Sequence, residues 1–580
     1  MSTHIKVHGL GDIGMQVISL KANETTLASL FGRIEEVSGI AKEQHILFTD
    51  KQSLTCSDHA TSTSATLKSY GIGHGSDLNF VRSFSTKSYP STTLRLRVYR
   101  ARFFRYLSGA LATLSTFAFL SRIIVGSEVM REWYPHPLGA LAWWPIPYLI
   151  GFSATCLAAL DVGHWIAGFP IVPSALFTLI NKGQKQLDYP KDAIHQTLNL
   201  FELKLVKTLA HYLPALVREA EAIMDRNIKA VKNIQQNYGG TRLRLICADG
   251  IALDGMHVQP SKHSSKHSSS ASGDASRKED TCYIVVNANA EFYEMDGLYG
   301  RLIVILFYCF PCFLFSFSSF SPVLNVLLLF SPILQYCQLP LFLFSRCSIN
   351  NSFSTIKTAR PHSNCARYAS LGFHVLLFNY RGVGVSEGTP TRDGLLLDLH
   401  SVIQYAISSK EDGGLNIHPS NIVVCGRSLG GAISTVLLSN IVHEHPNLIL
   451  CNTRSFSTLS RTACKLLGQQ YGHRIGQAAA YGIYALSWEL DSFNAWLSLE
   501  RFSSSGYRWV ESVGDDDIIL PGAKLADELS AGKNQQEIRR IIQLDLGDIS
   551  GHNRALKSNE YQKRWSMIQE GLHWNHSKTE

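Results

Sequence analysis

The run Gly426-Arg427-Ser428-Leu429-Gly430-Gly431 offers the clearest chemistry in the chain, a serine between glycines where a strand meets a helix. Ile422–Cys425 before it is rich in β-branched residues and reads as a buried strand, and the small and apolar residues after Gly431 read as a helix reaching Leu438. A serine hydroxyl serves as a nucleophile when a sharp turn lifts it above a sheet, and flanking glycines let helix and strand approach closely enough for that turn. The same turn aims the backbone N–H of Leu429, at the positive end of the helix, toward a developing oxyanion. Ser428 is therefore the candidate nucleophile. A glycine-rich turn with no catalytic role is the competing structural reading.

The elements that must position this serine follow an α/β pattern. Leu243–Cys247 and Met256–Val258 flank an Asp249-Gly250 turn, as in a hairpin. Cys282–Val286 and Gly372–Phe378 read as buried strands, and Leu395–Ile407 has a helical period. With Asn379-Tyr380-Arg381-Gly382 and the Ser386 and Gly388 loop after the fourth strand, the chain from about Thr241 to Trp574 resembles the α/β-hydrolase superfamily. The resemblance is strongest to a branch of poorly characterised membrane-associated serine hydrolases, which includes membrane-anchored α/β-hydrolase-domain proteins and chlamydial-type hydrolases.

This resemblance implies a mostly parallel central sheet with flanking helices and a triad in the order serine, acid, histidine. The acid falls in Asp515-Asp516-Asp517, after a strand at Tyr507–Val510 and Val513. The family pattern selects Asp516, with Asp515 and Asp517 as alternates, since three adjacent carboxylates are not separated by pattern. The base is His552, in a Gly551-His552-Asn553 loop after a short strand at Ile541–Leu546. The second oxyanion donor is expected from Asn289-Ala290, a loop that departs from the commoner His-Gly pattern. Arg381 and Glu387 are expected to brace the Asn379–Gly388 loop, and residues 456–505 to form a helical cap, with ordinary packing as its alternative role. Neither a cofactor nor a metal is implied. The substrate would be a small-molecule or lipid-like acyl compound.

Residues 1–84 read as a small α+β unit: a hairpin, a helix bearing Leu27, Leu30, Phe31, Ile34 and Val37, then short strands at His45–Phe48 and Leu78–Val81. This order, with Gln44-His45-Ile46-Leu47-Phe48 and Leu67…Tyr70-Gly71-Ile72, resembles ubiquitin. The chain runs on through Arg82-Ser83-Phe84 instead of ending in two glycines, so the resemblance implies a built-in interaction domain. Leu47 is either its partner-binding residue or a buried strand residue. Residues 85–105 form a basic linker. Residues 106–165 read as a membrane hairpin with spans at about 107–126 and 138–160, long enough for a ~30 Å hydrocarbon core. Basic flanks on both sides predict that the hydrolase and ubiquitin-like parts face the cytosol. Residues 166–238 read as a helical connector to the hydrolase unit at 240–574.

One stretch does not fit. Leu302–Phe344 carries no charged side chain and is dominated by Phe, Leu and Ser. It reads either as extra membrane segments or, preferably, as translated intron sequence spanning about 297–362, since pyrimidine-rich codons specify those residues.

Composition bounds the rest. The chain has 580 residues with 54 Lys+Arg against 46 Asp+Glu, a formal charge of +8 too modest to point to nucleic acid. Its 12 cysteines form no paired framework, which favours a reducing compartment. The expected function is a membrane-anchored serine hydrolase acting on an ester, thioester or amide. The alternative is an inactive hydrolase-fold scaffold that binds a protein partner through its ubiquitin-like domain.

Overall fold

A computed structural model describes residues 3–8, 15–21, 24, 26–38, 40–49, 53–55, 66–101, 103, 106–107, 110, 168, 171–188, 206–207, 214–261, 281–287, 363–502, 506–514, 516–531, 541–544, 552 and 556–577. Among the described residues, thirteen strands join in one sheet. In chain order they are β1 (Thr3–His8), β2 (Met15–Leu20), β3 (His45–Phe48), β4 (Ser53–Thr55), β5 (Asp77–Ser85), β6 (Thr241–Ile246) and β7 (Ala252–Val258). They continue with β8 (Cys282–Val286), β9 (His374–Phe378), β10 (Ile422–Arg427), β11 (Ile449–Thr453), β12 (Arg508–Val513) and β13 (Ile541–Leu544). The helices are α1 (Leu27–Ser38), α2 (Pro173–Asp188), α3 (Pro214–Tyr238), α4 (Ser363–Ser370), α5 (Arg392–Ile407) and α6 (Leu429–Ile441), then α7 (Leu459–Tyr471), α8 (His473–Ala485), α9 (Ser492–Arg501), α10 (Leu525–Ala531) and α11 (Ser558–Ser577).

The spatial order β13-β12-β11-β10-β8-β9-β7-β6 makes the larger part of the sheet. Its strands run parallel except β7, which is antiparallel to both β6 and β9. Helices cover both faces, so the central strands are apolar throughout instead of alternating. On β10, Ile422 and Val424 pack into one core with α5 and α6, while Val423 and Cys425 pack into the other with Tyr507, Trp509 and Ile568. From β8 the chain turns outward to β9, then crosses back to place β10 on the other side of β8. A crevice opens at the carboxyl ends of strands where such a reversal occurs. Ser428 follows β10 at that point.

The N-terminal unit departs from expectation. Its strands continue the same sheet, because β5 pairs in parallel with β6 from Val81↔Arg242 to Ser85↔Ile246. Arg82 donates to the Tyr405 hydroxyl at 3.2 Å and to the Gly414 carbonyl at 3.3 Å. Leu47 is fully buried, in a core with Leu30, Phe31 and Phe80. The expectation of a self-contained ubiquitin-like interaction domain with its own protein partner is thus corrected, and of the two readings of Leu47 the buried strand residue holds. The N-terminal strands share one sheet with β6–β13, and the Leu47 side chain faces inward.

The membrane expectation is corrected as well. Among the described residues no helix is long and apolar enough to cross a membrane. The spans expected at 107–126 and 138–160 lie, apart from Leu107 and Ala110, outside the described residues, as does the tract at 297–362. The membrane hairpin, the membrane as partner and the cytosol-facing membrane location are accordingly withdrawn.

Candidate active site

The turn after β10 depends on three glycines that tolerate no side chain. A Cβ on Gly426 would collide with the Gly430 carbonyl, and one on Gly430 with the carbonyl oxygens of Val286 and Asn287. A Cβ on Gly431 would lie 2.7 Å from that of Ser455. Close packing of α6 on β8 and β10 forces Ser428 to absorb the turn, with φ 53° and ψ −117° at the N-cap of α6. A non-glycine residue in this region is strained, and such strain persists only where surrounding structure holds it. Two bonds do so here: Ser428 N–H donates to the Thr453 carbonyl at 3.0 Å, and the Ser455 hydroxyl donates to the Ser428 carbonyl at 2.7 Å. A Gly430→Ala variant is expected to lose roughly 1–3 kcal/mol, because the carbonyls it meets belong to a central strand and its exit and cannot yield. Urea unfolding would measure this, and a wild-type midpoint would contradict it.

Ser428, His552 and Asp516 come together. The Ser428 Oγ lies 3.0 Å from His552 Nε2, and His552 Nδ1 lies 2.8 Å from Asp516 Oδ2. All three are buried. The other Asp516 oxygen accepts the backbone N–H groups of Ile518 at 2.9 Å and Ile519 at 2.7 Å. Burial alone would push the Asp516 carboxyl up. The facing His552 and the two amides outweigh it and hold the carboxyl below its ordinary value. Buried Lys524 donates to the carbonyls of Val513 (2.7 Å) and Gly514, tying down the start of the acidic turn.

The alternates are placed differently. Asp517 is exposed, and its Oδ1 accepts the backbone N–H of His552 at 3.3 Å, so it touches the loop and not the ring. Asp515, Asn289 and Ala290 lie outside the described residues. Leu429 is the first residue of α6, where an N–H has no partner within the helix. Asn287, just before the expected oxyanion loop, donates to the Phe378 carbonyl and accepts from the Tyr380 hydroxyl at 2.8 Å, which pins the end of β8 to that of β9. Arg381 grips Asp398 at 2.9 Å and Asp249 at 2.8 Å, and Arg244 pairs with Glu387. Both residues expected to brace the loop after β9 have these partners. Within 456–505, α7 and α8 form a helical hairpin around the Gly472 turn. Trp488 and Trp496 are buried, but Tyr481 is 75% exposed.

Sequence reasoning missed four residues around this centre: Arg454, Glu511, Lys524 and Arg564. Their polarity gave no sign that they are buried. Glu511 on β12 is held by the Arg564 guanidinium of α11 through Nε at 2.8 Å and a second short bond, and by Trp509 Nε1 at 3.1 Å.

No family model matches the chain. Over 117 residues it is 33% identical to Alpha/beta hydrolase domain-containing protein WAV2 of Arabidopsis thaliana, a stretch covering 20% of this chain and 35% of that one. Protein bem46 of Schizosaccharomyces pombe is 33% identical over 90 residues, 15% of this chain and 27% of its own. Over these stretches the chain is similar in sequence to α/β hydrolases, and its sheet with helices on both faces is α/β-hydrolase-like in architecture. It spans about a third of the length of these first curated relatives. An α/β hydrolase from Vibrio vulnificus is similar in structure, with TM-score 0.34 and 13% identity over 60% of this chain and 85% of that one. None of these comparisons supports a ubiquitin-like domain, and that assignment is withdrawn.

Proposed function

We propose that this α/β hydrolase is a serine hydrolase that cleaves an ester, thioester or amide of an acyl substrate through an acyl-enzyme. The observation that carries the reading is the chain of contacts Asp516–His552–Ser428 at 2.8 and 3.0 Å, set at the carboxyl end of the sheet. An ionised Asp516 only accepts hydrogen bonds, so the imidazole proton sits on Nδ1 and the Nε2 lone pair faces the Ser428 hydroxyl. His552 then takes the serine proton as Oγ attacks the carbonyl, and returns it to the leaving group. The Leu429 amide supports the oxyanion from the N-terminus of α6, and Asn289-Ala290 supply the second donor. In deacylation His552 takes a proton from water as its oxygen attacks the acyl carbon, and gives it to Ser428 Oγ as the C–Oγ bond breaks and the acid leaves.

A fluorophosphonate probe reacts with an activated serine and tests this directly. The full chain should label covalently, and Ser428→Ala should not. Labelling that survives in Ser428→Ala, or a folded wild-type protein that never labels, would remove the proposal.

A further inference from the structure

Three consecutive residues at the end of β11 and just beyond it touch the serine and the histidine of the candidate centre. The Thr453 carbonyl receives the Ser428 N–H, and the Ser455 hydroxyl reaches the Ser428 carbonyl. Between them, the Arg454 N–H donates to the Glu511 carbonyl of β12 at 2.7 Å. Arg454 Nη1 donates to the backbone carbonyl of His552, also at 2.7 Å. The residue is 4% exposed and adopts φ 53°, a left-handed conformation that costs a long side chain and that turns the chain off the strand.

From this geometry we infer that Arg454 is a positioning residue for the base, holding the His552 carbonyl so that Nε2 stays in reach of Ser428. The inference rests on the serine-hydrolase reading above. The peptide of His552 is gripped at both ends, its N–H by Asp517 and its carbonyl by Arg454. The two grips differ: Asp517 is exposed to water, while the guanidinium is buried, where a charge-assisted bond is strong. Among the described residues the imidazole meets Asp516 through Nδ1 and Ser428 through Nε2, and it keeps the Ser428 contact only while its backbone is held against pivoting about the Asp516 bond. A displacement of about 1 Å at a reacting atom can cost ~10²-fold in rate.

The test compares full-length wild type, Ser428→Ala, Arg454→Met and Arg454→Lys by hydrolysis of p-nitrophenyl acetate, with melting curves beside the kinetics. Arg454→Met should lower kcat about 10–100-fold with KM within about threefold, because the substrate is bound but the base is misplaced. Arg454→Lys keeps a buried cationic donor without the planar fork and should recover part of that loss. Guanidinium ion at millimolar concentration should partly restore an Arg454→Ala variant, a rescue that a purely structural role would not give. An unchanged kcat in folded Arg454→Met would overturn the inference, as would a loss that only tracks the folded fraction. Should Arg454→Met fail to fold, Arg454→Lys decides: kcat down at least about threefold at the wild-type melting temperature supports the role, and wild-type kcat removes it. A wild type that hydrolyses no faster than Ser428→Ala would instead sink the parent reading, and the role of Arg454 with it.

Discussion

An Asp516→Asn variant should fold normally and lose about 10³–10⁴-fold in turnover of p-nitrophenyl acetate, the scale on which a wrong histidine tautomer acts in a serine triad. The reason lies in the three N–H groups that converge on this side chain. Ile518 and Ile519 both donate to Oδ1, and His552 Nδ1 meets Oδ2. An asparagine would keep its one oxygen on the two amides and turn its NH₂ toward His552. Nδ1 must then accept, so the ring proton moves to Nε2, which becomes a donor toward Ser428 and no longer a base. Asp517→Asn should cost less than about tenfold, because Asp517 meets the His552 backbone and not the imidazole. A reversed ranking would transfer the acid role to Asp517, and wild-type turnover in Asp516→Asn would remove the triad altogether. Because the Asp516 carboxyl lies below its ordinary value, its protonation should not limit activity until the pH falls below about 4.

Some of this centre was legible in the sequence because the physics that builds it is local. The elbow is written in consecutive residues: an apolar run buried on both faces, then glycines wherever a Cβ would strike a carbonyl. The acid was only narrowed to three positions. Adjacent carboxylates differ in direction, and direction is set by the turn that hands Asp516 the amides of Ile518 and Ile519. The N-terminal strands were found as elements, since alternation and helical period are also local. Their partner was not, because β5 pairs with β6 across a long stretch of sequence whose register no local pattern encodes. Leu47 shows the same limit: alternation allowed either a surface or a core position, and only the packing of α1 and β5 against it decides. Glu511 and Arg564 were invisible for another reason. Charged residues read as surface, yet each is buried because the other is there.

Removing one partner of that pair should be the most damaging single change to stability, about 3–5 kcal/mol for Arg564→Met by urea unfolding. Glu511 lies on β12, the strand leading to Asp516, and Arg564 lies on α11, which follows His552, so the pair ties the acid-bearing and base-bearing segments together. Without the guanidinium, a carboxylate stays buried with neutral side-chain donors such as Trp509 and Cys451 and without its paired opposite charge. The double variant Glu511→Gln with Arg564→Met should recover much of the loss, since neither retained side chain then carries a buried charge. The pH dependence gives an independent check. Burial would raise the Glu511 carboxyl, but Arg564 and the hydrogen bonds from Arg564 and Trp509 outweigh it and leave it lowered. In the wild type its stabilisation is therefore complete above the unfolded carboxyl value and is lost as the pH falls through the lower folded value. In Arg564→Met the burial penalty is opposed by the remaining hydrogen bonds without the guanidinium charge, and the carboxyl rises relative to the wild type. Its destabilisation is then full at neutral pH and relieved as the buried group takes up a proton. The stability gap between wild type and Arg564→Met should narrow between pH 7 and about pH 4. A gap that stays constant over that range would mean that lost packing of α11, and not the stranded charge of Glu511, accounts for the penalty.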